Sequence, residues 1–234
     1  MKPYLPEKNV KKVLVSELLP EYMREKLADL GIGCVNAAPA KNITTELKYH
    51  PDVVMLNVSE DVWYAEKSNE QMFDFGEVRR LESDLEAEYP FDCLLNDIVF
   101  GDNVICGKSA PEWLFEGKNV YRVRQGYAKC STVFVSDNAF ITSDTGIYKT
   151  LCALGCEALC VTNVTIRLNG YSCGFIGGCA GKLAGDLLAF TGDINTHPDT
   201  KKIKAFCKKQ NVKIISLGDG ALYDYGGMIP LCEY

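Results

Sequence analysis

Apolar residues along this chain come in short runs of strand length, broken by Gly, Pro, Asn and Asp. Runs bounded by turn formers predict strands. Two stretches echo each other: "YHPDVVMLNV" (Tyr49 to Val58) and "YPFDCLLNDI" (Tyr89 to Ile98) both open Tyr-x-x-Asp and continue into an apolar run containing Asn. A Tyr lead recurs at Tyr127 in "GYAKCSTVFV", at Tyr171 in "GYSCGFIGG" and at Tyr223 in "LYDYGGMIPL". Further runs, "VWYAEKS", "VICGKSA", "FITSDTG" and "LLAFTGD", begin near Val62, Val104, Phe140 and Leu187, and each closes on residues that start helices.

Helical signals follow. "SAPEWL" sets Ser109 and Glu112 in a capping relation, with Pro111 in the first turn. "THPDTKKIKAFCKKQN" repeats that relation at Thr196 and Asp199, above an inward stripe of Ile203, Phe206 and Cys207. "TGIYKTLCALG" stops at Gly155. Residues 66–88 form an acidic insert in which Met72, Phe75, Val78, Leu81 and Leu85 predict an amphipathic helix. "NVYRV", "EALCVTNVTI" and "VKIISL" then lead to the next Tyr turn, so the unit reads strand, helix, strand, Tyr turn, strand.

The fifth unit is cut short at Tyr234, and "KKVLVSELLPEYMREKLADLG" supplies the strand and helix that it lacks. The expected fold is therefore α/β, one domain over residues 1–234: a five-unit pseudo-symmetric α/β propeller forming a closed ring, its two ends meeting so that no strand edge is left exposed.

Composition narrows the function. The chain of 234 residues is 47% hydrophobic and 24% charged, with net charge −6, which gives no electrostatic reason to expect nucleic acid or an anionic membrane. Lys201, Lys202, Lys204, Lys208 and Lys209 read as the solvated face of a helix. No run is long enough to span a bilayer, and "MKPYLPEKNVKK" is no signal peptide, so the expected location is cytoplasmic. Eleven cysteines are then reduced, and most are small core residues.

A ring of five such units resembles the pentein fold of the guanidino-group-modifying enzymes, among them deiminases, amidinotransferases and dimethylarginine dimethylaminohydrolases. "FDCLLNDIVFGDNVIC" is similar to the segment in which those enzymes place the Asp that grips the guanidinium, which makes Asp97 that residue. "YGGMIPLCEY" resembles their C-terminal Gly-Gly stretch, with Cys232 in the nucleophile's place. The resemblance also implies a catalytic His in the fourth unit's turn. Here that turn reads "NGYSCGFIGG", with Ser172 and Cys173 nearest, so Cys173 stands as the second candidate thiol.

Only two histidines exist. His197, in the capping turn of a helix, reads as structural, whereas His50 lies in the first Tyr turn and faces the axis. Asn96 and Asn57 hold similar places in their units and complete the candidate binding set with Asp97 and His50. Asp52 and Asp92 read as turn makers. "GFIGGCAGKLAGD" is not a P-loop, since Ile176 and Leu183 occupy the required Gly and Ser/Thr positions; its glycines suit close backbone approach near the centre. Cys152, Cys156 and Cys160 do not share a helix face, and no C-x-x-C pair exists, so neither metal nor cofactor is expected. Two functions follow: a thiol-dependent hydrolase or transferase for a guanidino or amide-like small molecule, or a non-catalytic module binding a small molecule or a protein.

Overall fold

Strand-length apolar runs become strands in the computed structural model, which describes residues 1–43 and 46–234. β1 (Val10–Val15) passes through helix α1 (Glu21–Asp29) to β2 (Gly33–Asn36). One helical turn, α2 (Pro51–Val54), opens β3 (Met55–Asn57), followed by β4 (Val62–Ala65) and β5 (Glu77–Arg80). Next come β6 (Ile98–Phe100), β7 (Asn103–Gly107) and β8 (Asn119–Val123), then β9 (Thr132–Ser136), β10 (Ala139–Thr142), α3 (Thr145–Ala153) and β11 (Glu157–Cys160). β12 (Ala180–Ala184), β13 (Leu187–Phe190), α4 (Thr200–Lys209), β14 (Lys213–Ser216) and β15 (Ile229–Glu233) complete the order.

These strands make five three-stranded sheets on one plan: β3-β4-β5, β6-β7-β8, β9-β10-β11, β12-β13-β14 and β15-β1-β2. In each, an antiparallel pair (a hairpin in all but the last) is followed by a crossover to a strand parallel to the middle one. No sheet closes on itself, but the two ends of the chain share one: Val13 stands opposite Pro230 and Leu14 opposite Ile229. The burial of each strand follows from its place. β3 and β6 are buried throughout, as strands covered on both faces are, whereas outer β5 alternates and carries Glu77, Arg79 and Arg80, charges that protect an edge. The largest fully buried side chains, Trp63, Phe140 and Phe190, sit in the middle strands of three different sheets.

Three expectations are corrected. Residues 66–88 hold no helix: Val78 lies in β5 opposite Trp63, while Leu81 and Leu85 are buried and Met72 is exposed. The helical spacing was met by a strand and its flanking loops. Those loops are pinned by the buried Glu66 carboxylate, which accepts from the Lys41 and Leu85 amides. The stretch is thus the crossover and third strand of its sheet. "SAPEWL" makes only a 3-10 turn (Glu112–Phe115) with no side-chain cap from Ser109, because Pro111 occupies the cap position. Thr196 ends a separate 3-10 turn, and α4 starts after Asp199. Gly155 does stop α3, in the left-handed region at φ +79°.

Candidate functional site

The turns that precede the inner strands meet at one place, and a hydrogen bond joins each to the next. Asn96 Nδ2 donates to the Asp52 carbonyl (2.7 Å), and the Lys129 amide to the Asn96 carbonyl (3.1 Å). The Gly178 amide donates to the Cys130 carbonyl (3.0 Å), and the Gly227 amide to the Gly178 carbonyl (2.7 Å). The Asp52 amide then donates to the Gly226 carbonyl (3.3 Å), which returns the series to its start. Gly178 and Gly226 are required by proximity. A Cβ on Gly178 would lie 1.8 Å from Asp224 Oδ1, and one on Gly226 would lie 2.4 Å from the His50 Cβ.

Inside this circuit, His50, Asp52 and Cys130 are all buried, and a ligand atom of each lies within 4.8 Å of the other two. Asn96 orients the thiol: its Nδ2 reaches Cys130 Sγ at 3.0 Å, and its Oδ1 accepts from the Cys130 amide at 2.9 Å. His50 Nδ1 faces Asp224 Oδ1 at 3.6 Å, too long for a hydrogen bond. Asp224 itself is held by the Phe175 and Gly226 amides. No carboxylate oxygen of Asp52 or Asp97 accepts a hydrogen bond of ordinary geometry; the Cys130 thiol lies beside Asp52 and the Gly107 backbone beside Asp97.

Burial governs the charge states. It pushes the Asp52 carboxyl up to about 7, with the Lys129 ammonium pulling down and Asp224 pushing up. Asp97 is driven well above the usual carboxylate range by burial, against the Gly107 backbone and the Arg122 charge. Burial likewise raises the Cys130 thiol well above its ordinary value, helped by Asp52 and Asp224 and opposed by the Asn96 hydrogen bond. His50 is held neutral by burial, against Asp224 and Glu46. The resting cluster is therefore a protonated thiol, a neutral imidazole and carboxyls raised by burial, with Lys129 beside Asp52 and Arg122 near Asp97. Imidazole, carboxylate and thiol also make a donor set for a soft divalent ion, although the Lys129 ammonium beside Asp52 opposes a second cation.

The structure brings together two of the residues singled out from sequence, His50 and Asn96; Asp97, next in the chain, is buried by the Gly107 backbone and the Arg122 charge. Asn57 instead closes its own hairpin, donating to the Ser59 carbonyl at 2.8 Å. Cys232 lies half-buried on β15 opposite Lys12, and Cys173 lies half-buried in the fourth Tyr turn; neither belongs to the cluster of His50, Asp52 and Cys130. Asp52 is a cluster member whose side chain bonds no turn. Asp92 accepts the Tyr127 hydroxyl. His197 is structural, with Nε2 2.9 Å from the Thr162 carbonyl and Nδ1 accepting from the Asp199 amide. Sequence reading missed Cys130, Lys129 and Asp224. A signal for Cys130 existed: it follows Tyr127 at the offset by which Asp52 follows Tyr49.

Solved structures share this fold. Inosamine-phosphate amidinotransferase from Streptomyces griseus superposes with TM-score 0.58 at 10% identity, covering 100% of this chain and 97% of the other. Agmatine deiminase of C. jejuni gives 0.55 at 10% identity, covering 93% and 90%. DDAH from Pseudomonas aeruginosa gives 0.54 at 8% identity, covering 90% and 92%. The chain is a divergent member of the pentein fold. A family model described as "Family of unknown function (DUF6873)" matches residues 14–229, and the chain belongs to that family. No curated protein matches it. Among the described residues no helix is long and apolar enough to cross a membrane.

Proposed function

We propose that this chain acts on a small guanidino or amidino compound bound where the five turns meet, with the five sheets standing around that axis as a closed pseudo-symmetric propeller. One observation carries the reading: a buried thiol, imidazole and carboxylate, Cys130, His50 and Asp52, stand within 4.8 Å of one another. Asp97 supplies a second carboxyl that accepts no hydrogen bond of ordinary geometry. Buried carboxylates short of hydrogen bonds are costly, and a planar guanidinium offers them paired donors that the Lys129 ammonium does not. Its charge also reverses the local field, favouring the Cys130 thiolate and the ionised aspartates.

The chemistry follows from those groups. Cys130 Sγ passes its proton to His50 and forms a carbon–sulfur bond to the central carbon. An amine then leaves with the proton that His50 returns, and water or an acceptor amine displaces the thiol. The names of the solved relatives, an amidinotransferase, an agmatine deiminase and DDAH, fit this substrate class. The protonated resting state of Cys130 supports a second reading, a binding module without turnover.

The test is a panel of arginine, agmatine and methylated arginines, followed for amine or ammonia release and for thermal stabilisation. Turnover lost in Cys130→Ala and kept in Cys232→Ala is the expected result. Ligand-induced stabilisation without product selects the binding module, and neither effect with any compound rejects the substrate class.

A further inference from the structure

The segment ahead of β1 enters the same region. Tyr4 is buried, 4% exposed, its ring 4.9 Å from that of Phe134 and 5.2 Å below Lys129 Nζ. It lies against β12 and β15 as well, beside Gly181, Lys182 and Pro230, and only about 10 Å³ remains open around it. Its hydroxyl is buried with only the Asn57 backbone to steady it, and the charges of Asp52, Asp97 and Cys130 all bear on it. A phenol thus fills the shaft that ends at the candidate site.

This seat is poorly secured. Tyr4 has φ +61°, a left-handed conformation that costs a bulky residue and that glycine would adopt freely. Outside the shaft, Lys2 reaches Asp137 at 3.2 Å and Glu7 at 3.5 Å, but these side chains are exposed or half-exposed, and such ion pairs hold weakly. Lys2, Pro3 and Leu5 border an open cleft of about 600 Å³, which gives the segment room to withdraw.

We propose that Met1–Pro6 is a displaceable plug, and that withdrawal of Tyr4 opens a route from the hairpin face to Cys130, Asp52 and Asp97. The inference rests on the function proposed above only for the importance of that destination. The opening itself is tested by neutral chemistry. Alkylation by iodoacetamide is followed at Cys130 and at Cys207, a buried thiol of α4, in the parent, Tyr4→Ala and Tyr4→Phe chains.

The expected result is Cys130 alkylation faster by about tenfold or more in Tyr4→Ala, with Tyr4→Phe near the parent and Cys207 unchanged. An unchanged Cys130 rate in folded Tyr4→Ala, or equal acceleration at Cys207, overturns the plug. If Tyr4→Ala does not fold, Lys2→Ala with Asp137→Ala loosens the tether instead; faster Cys130 labelling supports the proposal, and an unchanged rate rejects it. Guanidino turnover plays no part in this readout, so an unmasked Cys130 without turnover removes the proposed reaction and leaves the plug standing.

Discussion

At the scale of single residues, the dominant physical fact is two fully buried aspartates whose carboxyls burial raises above their ordinary range. Folding raises Asp52 from its ordinary 3.8 to about 7, so between those values the native state holds more protons than the unfolded chain. Asp52 therefore costs the fold nothing at low pH, and stability declines as pH rises through about 7. His50 and His197 act with the opposite sign: folding lowers both imidazoles, so their protonation below pH 6.5 opposes folding. Stability is expected to peak near pH 6, to fall as pH passes about 7 and to level off above it. Asp52→Asn should raise stability at pH 8 by something on the order of 2 kcal/mol and flatten that limb, as read by urea denaturation at each pH. A variant equally sensitive between pH 6 and pH 8 would remove Asp52 from the account.

At the scale of elements, the turns position the chemistry and glycine lets them approach. Asp224 is pinned by two amides, so it cannot retreat from a methyl group at Gly178. Gly178→Ala should cost about 3 kcal/mol by displacing Asp224 and the turn before β12. Gly117→Ala, at φ +79° with nothing within 4 Å, should cost about 1 kcal/mol from backbone strain alone. Equal costs in chemical denaturation would show that close packing at Gly178 is not the cause.

The strands were legible in the sequence because apolar runs bounded by turn formers leave few alternatives. The misread helix at 66–88 shows the limit of that approach. Leu81 and Leu85 are buried through long-range contacts, the Glu66 anchor among them, which no local periodicity records. His50, Asn96 and Asp97 were legible because they interrupt apolar runs. Cys130 was not, because among eleven cysteines a buried reactive thiol and a core thiol look alike until tertiary neighbours are seen.

At the scale of the whole molecule, the repeat has a physical meaning. Each unit contributes one turn to the hydrogen-bond series, and β15 must pair with β1 for the fifth sheet to exist. Residues distant in sequence, such as His50 in the first unit and Asp224 in the fifth, thereby come within 3.6 Å. Neither end of the chain reads as a complete unit alone. The site is a product of that whole arrangement rather than of any one motif.

The central claim is that a thiol at Cys130 faces a place built for a planar cation. It is tested by comparing chloroacetamidine, a cationic electrophile, with its neutral analogue chloroacetamide, in the parent and Tyr4→Ala chains. In Tyr4→Ala, Cys130 is expected to be the first buried thiol modified, with the amidine preferred by about tenfold or more and the preference lost in Asp97→Asn. Equal rates for the two reagents, or an earlier adduct at another buried thiol, would contradict it.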